Sequence, residues 1–349
     1  MKAGIELLKK LSECFGPSSC EGEVEAAIRE ELAGLPVALH TDRMGNLTAH
    51  LPGPAGAPRI MLSAHMDEVG FMITEIDDDG YLRFDNLGGY DSRVICGRGV
   101  LLGDEKKRVP GVIAAKGIHL QSADERKKAP TNENFYIDIG AKDRAEAEAV
   151  LALGDFGVFD TAFAVFGAEN AFMHGKALDD RLGCALLIEV LRLVADKHLP
   201  LDLWFCFTVR EELGRSGARV TAERIKPDAA IVLECTAMAD LPEVAASKRV
   251  AKMGEGGVIS LLDRSTIYDR ALCDFALETA KSNAIPVQIK RYVSGGNDAA
   301  HIQKSGIGVR CLALSAPTRY LHAPVSVGSI KDYMSMQSLV VAMLCDWKG

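Results

Sequence analysis

The segment 201–209, LDLWFCFTV, constrains the fold of this chain more than any other. A nearly continuous apolar run of this length is typical of a β-strand that is covered on both faces. Helical patterns lie on either side of it, at 181–197 and 217–225, and the first of these carries a broad apolar face. The segment therefore predicts an α/β fold in which helices pack on both sides of a sheet.

Helices and strands alternate through the rest of this half of the chain. The patterns predict strands at 229–233 and 308–313, an extended run at 286–292, and helices at 269–283, 298–304 and 330–347. Before them come two predicted helices at 1–15 and 21–35 and extended segments at 37–51 and 59–64.

The stretch 71–166 has a different texture, with short β-like runs and a glycine pair at 88–89. A chain of 349 residues is about twice the ~150 residues of a typical domain. We therefore expect two domains. Residues 1–70 and 167–349 would form one discontinuous α/β domain, and residues 71–166 would form a β-rich domain inserted into it.

Composition narrows the classes of partner and the compartment. The chain carries 40 Lys and Arg against 48 Asp and Glu, a net charge of -8, which opposes binding to nucleic acid and leaves small or peptide-like substrates. The nine cysteines include no CxxC pair, which favours a reducing compartment. The first 15 residues lack the apolar run of a signal peptide, and no segment is long and apolar enough to span a membrane. We expect a soluble cytoplasmic protein.

Histidine and acidic side chains fall where predicted strands end or predicted helices begin. They are His65 and Asp67 after 59–64, Asp179 and Asp180 before 181–197, Glu211 and Glu212 after 201–209, Glu234 at the close of 229–233, and His322 after 308–313. Ligand sites of open α/β sheets collect at the carboxyl ends of the strands, so these residues can converge.

Each of these residues also has a purely structural explanation. His65 could be a hydrogen-bonded buried histidine, and Asp179 and Asp180 could cap a helix. Glu211 and Glu212 could be a solvated pair of charges. Taken together, however, so many carboxylates at one sheet edge require a cation, and nitrogen and oxygen donors suit Zn²⁺, Co²⁺ or Mn²⁺. A two-metal site would activate a water molecule and leave one carboxylate free as the general base.

Five segments resemble the glutamyl aminopeptidase/tetrahedral (TET) aminopeptidase family of di-metal exopeptidases. They are SAHMDEVG (63–70), GKALDDR (175–181), VREELG (209–214), GGNDA (295–299) and TRYLH (318–322), and they follow the family's order along nearly the whole chain. The resemblance implies the di-metal exopeptidase fold, which is a mixed sheet sandwiched by helices with an inserted β-barrel-like dimerisation domain.

The resemblance also implies a set of metal ligands. His65 and Glu234 would hold one divalent ion, Glu212 and His322 would hold the other, and Asp179 would bridge them. Zinc or cobalt is expected, with manganese as a further candidate. We prefer Asp179 to Asp180 as the bridge because the second position is often Asn in the wider di-metal group.

Two further roles follow from the same resemblance. Asp67 would orient His65, and Glu211 would be the general base. Two positions depart from the family pattern, because Glu234 stands where Asp is usual and Asn297 stands where Thr is usual.

The insertion is expected to build dimers and a tetrahedral dodecamer. His119 lies within it and could reach a neighbour's active site, although we favour a structural role. The leading function is an aminopeptidase that hydrolyses N-terminal residues from peptides. The alternatives are a di-metal deacylase or carboxypeptidase, and a non-catalytic cage or binding protein of the same fold.

Overall fold

The computed structural model describes residues 2–347 as helices packed against a mixed sheet, together with a closed barrel. The helices are α1 (Lys2–Glu13), α2 (Gly22–Leu32), α3 (Arg144–Glu148), α4 (Leu178–Val194), α5 (Ser216–Ile225), α6 (Arg270–Ser282), α7 (Ala299–Ile302) and α8 (Ile330–Cys345).

The strands belong to three sheets. They are β1 (Ala38–Thr41), β2 (Leu47–Leu51), β3 (Arg59–His65), β4 (Gly70–Ile76), β5 (Leu82–Leu87), β6 (Gly99–Gly103), β7 (Arg108–Ala115), β8 (Phe135–Asp138), β9 (Phe156–Phe159), β10 (Ala164–Phe166), β11 (Phe172–Gly175), β12 (Asp202–Thr208), β13 (Ala229–Ala237), β14 (Gly257–Ile259), β15 (Val287–Ile289), β16 (Arg310–Thr318) and β17 (Ser326–Ser329).

The largest sheet has the strand order β1-β2-β12-β3-β13-β16-β14-β15. Its central strands β12, β3, β13 and β16 run parallel, whereas β1 and β2 pair antiparallel at one side and β14 pairs antiparallel with β16. The predicted α/β class with a mixed sheet is confirmed. The apolar run 201–209 forms β12, which lies between β2 and β3 as a buried strand.

Burial of the central strands explains why helices cover this sheet. All residues of β3 after Arg59 are buried, and in β13 only Ala237 is exposed. Helix α4 packs against β3 and β13, with α1 and α8 beside it, and α5 packs against β12. The core therefore forms around strands that have apolar side chains on both faces.

The six strands β4-β5-β8-β7-β6-β9 close into a barrel with its own apolar core. The ring of Phe71 lies 5.2 Å from that of Phe84 and 5.9 Å from that of Phe159, measured between centroids. Gly157 allows this packing, because a Cβ there would lie 1.9 Å from the Phe71 ring. The predicted β-rich texture corresponds to a barrel that spans Gly70 to Phe159.

The third sheet has the order β10-β11-β17. It pairs the two strands that follow the barrel in the sequence with β17, the strand that precedes α8. All nine cysteines are free, and only Cys96 and Cys345 are exposed. Among the helices described, none combines the length and the apolar character that crossing a membrane requires.

Candidate metal centre

The structure brings the seven residues that were assigned roles as candidate ligands, base or positioning group to one edge of the large sheet. His65 is the last residue of β3, Asp179 lies at the start of α4, and Glu234 lies in β13. Glu211 and Glu212 follow β12, Asp67 follows β3, and His322 follows β16. Because β12, β3, β13 and β16 are parallel neighbours, their carboxyl ends meet at this edge.

Asp179 lies between two imidazole rings. Its Oδ1 is 3.3 Å from Nε2 of His65, and its Oδ2 is 3.4 Å from Nε2 of His322. Glu234 Oε2 lies 3.8 Å from Nε2 of His65, and Glu212 Oε1 lies 3.4 Å from Nε2 of His322. The side chains therefore form two adjoining groups, each with one imidazole and one carboxylate of its own, that share Asp179.

The position of Glu234 differs from the one expected. Instead of closing its strand, Glu234 is followed by three more residues of β13, and it pairs in register with Ser315 of β16. The continuous apolar run ends at Leu233. The strand nevertheless continues, because its backbone pairs with β16 as far as Thr318.

The donor set fits divalent cations. Asp179 Oδ1 and Glu234 Oε1 are buried and accept no hydrogen bond from residues 2–347, which is costly for a carboxylate unless a positive charge is near. Burial raises the pKa of Glu212 to about 8, with the charges of Asp179 and Glu211 adding to the effect and His322 opposing it. Two imidazoles and three carboxylates are the ligand types that zinc and similar ions prefer.

The surroundings favour the ionised form of Asp179 but disfavour the ionised form of Glu234. Burial alone would raise the pKa of Asp179, but the two histidines outweigh it and hold that pKa below its ordinary value. Burial raises the pKa of Glu234 well above its usual range, with Asp180 and Asp179 adding to the effect and His65 opposing it. A cation between these carboxylates would therefore relieve a strong mutual repulsion.

Asp67 holds three parts of the site in place. Nδ1 of His65 lies 3.0 Å from the main-chain carbonyl oxygen of Asp67, and Nδ1 is also 3.5 Å from the Asp67 carboxylate. Since a carbonyl oxygen only accepts hydrogen bonds, Nδ1 is the donor to Asp67, and Nε2 is the ring nitrogen that faces Asp179 and Glu234. The carboxylate accepts hydrogen bonds from Ser18 Oγ at 2.6 Å and from the backbone N–H groups of Glu211 at 2.9 Å and Glu212 at 3.1 Å.

Glu211 lies beside Glu212 and His65 but has a partner of its own. Arg215 Nε donates a hydrogen bond to Glu211 Oε1 at 2.7 Å, and Arg215 Nη2 donates another to the carbonyl of Gly296 at 3.1 Å. Burial raises the pKa of Glu211, whereas His65 and Arg215 oppose the rise. One oxygen of Glu211 is thus held by a guanidinium group.

Asp180 has a different role from its neighbour. Its two oxygens accept hydrogen bonds from the backbone N–H groups of His65, at 3.3 Å, and Gly183, at 3.1 Å. Cys235 lies close to both aspartates and donates its thiol hydrogen to the carbonyl of Leu178 at 3.3 Å. Sequence reasoning missed Cys235, although it directly follows Glu234.

A buried ionic cluster beneath the site was also missed. Lys176 Nζ lies 2.6 Å from Glu68 Oε1, and Arg181 Nη2 lies 3.2 Å from the same oxygen. Arg181 also donates to the carbonyls of Met66 and Leu11, each at 2.6 Å. We call Glu68, Lys176 and Arg181 the Glu68 cluster. It ties the loop after β3 to α1 and to the start of α4, and its members lie inside two of the quoted motifs.

The candidate centre forms one wall of a cavity of about 340 Å³. Asp179, Glu212 and His322 line this cavity together with Asp263, Lys290 and the segment 294–297. A cavity of this size has room for a small molecule or the end of a peptide beside the carboxylates.

The fold is a mixed α/β sheet accompanied by a closed barrel, and carboxylates and imidazoles gather at the ends of its strands. Residues 45–339 match the family described as M42 glutamyl aminopeptidase, so the chain belongs to that family and is an aminopeptidase, hence a hydrolase. The expected resemblance is confirmed.

Relatives and solved structures match over nearly the full length. A lysyl aminopeptidase of Pyrococcus furiosus is 31% identical over 98% of this chain and 97% of its own length. A TET aminopeptidase from a marine sediment Thaumarchaeota archaeon is 35% identical, covers 99% of this chain and 97% of its own, and has a TM-score of 0.96. The TET1 peptidase of Pyrococcus horikoshii, described as assembling into a tetrahedron or a large octahedral shell, is 34% identical over 98% of this chain and 99% of its own, with a TM-score of 0.89.

Proposed function

We propose that this aminopeptidase is metal-dependent and removes N-terminal residues from peptides with the aid of two divalent ions. His65 and Glu234 would hold one ion, Glu212 and His322 would hold the other, and Asp179 would contact both. The observation that carries the proposal is the position of the Asp179 carboxylate, with one oxygen facing each imidazole. Zinc and cobalt suit this donor set best, and manganese is the next candidate.

When bound, such ions polarise a peptide carbonyl and make a water molecule more acidic. The protein would provide the proton transfer. Glu211 would take a proton from the attacking water at its carboxylate and deliver it to the nitrogen of the departing amide. Arg215 holds Oε1 of Glu211, which leaves the second oxygen of that carboxylate to exchange the proton.

Asp67 would act on the reaction through its neighbours. Its carbonyl accepts the Nδ1 hydrogen of His65, so that Nε2 would be the nitrogen presented to an ion, and its carboxylate holds the backbone of Glu211 and Glu212. The base and one ligand therefore keep fixed positions relative to His65. Such fixed geometry is what makes catalytic groups effective.

We further propose that residues 71–166 form an oligomerisation domain and that residues 1–70 and 167–349 form the catalytic domain. A separate apolar core within the barrel supports this division. The TET1 peptidase, which is described as forming closed shells, supports self-association into dimers and a tetrahedral dodecamer. The nine free thiols are in keeping with a cytoplasmic location, and the partners would be peptides rather than nucleic acid or membranes.

The proposal is tested by stripping the protein of metal with a chelator and then adding zinc, cobalt or manganese back in turn. Metal content is measured by elemental analysis, and turnover is measured with a free aminoacyl anilide and with its N-acetylated counterpart. We expect two ions per chain and cleavage of the free amine substrate only. Release of C-terminal residues or of acyl groups would favour the deacylase or carboxypeptidase alternative. Full activity without a transition metal would refute metal dependence.

A further inference from the structure

The loop that follows β12 is held by a row of buried hydrogen-bond acceptors. The N–H of Val209 donates to Asn46 Oδ1 at 3.0 Å, and the N–H of Arg210 donates to Glu21 Oε1 at 3.2 Å. The N–H groups of the next two residues both donate to the carboxylate of Asp67. Four successive backbone donors are thus taken up by three buried side chains, which come from three separate segments of the chain.

This loop needs acceptors from outside the sheet. The ladder between β12 and β3 ends at Thr208, so the N–H groups that follow must find other partners. Arg210 also has a φ of 57°, a left-handed conformation that a residue with a side chain adopts only at a cost. Such a conformation persists where the surrounding structure holds it. We call residues 209–212 the base loop, because it carries Glu211.

Glu21 reaches the base loop from the turn between α1 and α2. Its Oε1 also accepts the backbone N–H of Ser19 at 2.9 Å, which fixes the carboxyl group against that turn. In the same turn, Ser18 Oγ donates to the carboxylate of Asp67 at 2.6 Å. The turn is therefore bonded to the base loop directly through Glu21 and indirectly through Asp67.

The acceptor oxygen of Glu21 matters more for this contact than its negative charge. Burial and the nearby charge of Asp67 raise the pKa of Glu21 to about 7, whereas hydrogen bonds from the N–H groups of Ser19 and Arg210 oppose the rise. Both the neutral and the ionised carboxyl group keep an oxygen that can accept an N–H. A neutral amide of the same length should therefore hold Arg210 as well.

We propose that Glu21 is a positioning residue for the aminopeptidase reaction. It fixes the backbone of Arg210, where the base loop turns, and thereby sets the direction in which the side chain of Glu211 leaves the loop. Glu21 acts through the backbone and not on the substrate. The proposal rests on the role of general base proposed above for Glu211.

The variants E21M and E21Q separate the acceptor oxygen from the volume of the side chain. Methionine has a similar length but no oxygen, whereas glutamine keeps a carbonyl oxygen. E25M is the matched control, because Glu25 lies one turn further along α2 and accepts hydrogen bonds from Arg29 at 2.7 Å and Thr41 at 2.6 Å. We would measure kcat and KM for a leucyl anilide at saturating metal, together with the metal content of each sample.

We expect E21M to lower kcat by about 10- to 100-fold, because a small displacement of a catalytic group is that costly. KM and metal content should stay within about twofold of wild type, since the change affects the reaction step and not binding. E21Q should recover most of the loss, and E25M should match wild type. Should E21M fail to fold, E21D makes the same test, because it keeps the charge but is one methylene shorter. Wild-type kcat in E21M, or in E21D where that variant takes its place, would overturn the proposal, and so would a loss in E21Q as large as theirs.

A double mutant separates this inference from a general loss of structure. If Glu21 acts through Glu211, E21M should change kcat by less than about twofold when it is introduced into E211Q. A loss as large as the one in the wild-type background would refute the proposal.

Hydrogen exchange of the base loop, followed by mass spectrometry, separates the inference from the proposed function. E21M should speed exchange in this loop, and E21Q and E25M should not. Unchanged exchange in E21M would remove the contact on which the inference depends. Faster exchange and a lower kcat in E21M, together with near-normal turnover of E211Q, would remove the proposed base and leave Glu21 as a positioning residue for the loop that also carries Glu212.

Discussion

The carboxylate of Asp67 accepts the backbone N–H of Glu211 at 2.9 Å, although the two residues are 144 positions apart in the chain. This hydrogen bond joins the loop after β3 to the loop after β12. Since the carbonyl of the same residue contacts Nδ1 of His65, one residue sets both the ring and the loop that carries the proposed base.

Replacing Asp67 with Asn is expected to weaken metal binding by about 10- to 100-fold. An amide offers only one acceptor oxygen, and its NH₂ group would face an N–H of Glu211 or Glu212. Competition with a chromogenic chelator measures the change. S18A, which removes a single hydrogen bond to Asp67, should have a smaller effect, and a larger loss in S18A than in D67N would contradict the role given to Asp67.

Replacing Glu211 with Gln should lower kcat by about 10²- to 10⁴-fold, the usual worth of general acid–base catalysis. The side chain keeps its shape but cannot take up a proton, so bound metal should stay at the wild-type level. Replacing Glu212 with Gln should instead reduce metal content. If E211Q lost metal and E212Q only slowed turnover, the two roles would have to be exchanged.

Replacing His322 with Ala should weaken one metal site and spare the other. His322 is the sole imidazole in the group that it forms with Asp179 and Glu212, whereas His65 serves the other group. When protein that a chelator has stripped of metal is titrated with zinc in a calorimeter, one of the two binding steps should be weakened. His301→Ala is the matched control, because His301 lies in α7 and contributes to neither group. Equal weakening of both steps would argue against the assignment.

Replacing Arg181 with Met should lower the free energy of unfolding by about 3–5 kcal/mol, the usual cost of breaking a buried ion pair. Arg181 is buried and donates to Glu68 and to several main-chain carbonyls. Urea denaturation followed by circular dichroism gives the value. R192M removes an exposed partner of Glu31 and should cost less than about 1 kcal/mol. Similar losses in both variants would show that the Glu68 cluster contributes little.

The chain should sediment as a dimer or a larger assembly at micromolar concentration. Its mass is 37.5 kDa, so a monomer is readily distinguished from a dimer or a dodecamer by analytical ultracentrifugation. Deleting the barrel is a poor test, because the two remaining parts of the chain would then be joined by a new connection that itself disturbs the fold. A single species of monomer mass across the concentration range would refute the oligomerisation role proposed for residues 71–166.

Local pattern was sufficient to predict the central part of the fold. The apolar run 201–209 became β12, and the helical patterns on both sides became α4 and α5. The closed barrel was expected from the family resemblance and not from the local pattern, because closure depends on pairing between distant strands such as β6 and β9. The extension of β13 beyond Glu234 was missed for a similar reason. Pairing with the neighbouring strand β16 extends the strand there, whereas the residues after Leu233 do not by themselves predict a strand.

The site was predicted as a set of residue types at strand ends, and the structure places those residues together. Their roles as ligands and base stay predictions. Sequence could not show that Asp67 bonds to the loop after β12, or that Arg215 pairs with Glu211, because these contacts depend on how loops meet in space.

The two groups around Asp179 differ in how firmly the backbone holds them. His65 and Glu234 are parts of strands, and both are paired in register with residues of neighbouring strands. Glu212 and His322 lie in loops, and the backbone N–H of Glu212 is also held by the Asp67 carboxylate. We therefore expect His322 to be the candidate ligand whose position the backbone fixes least.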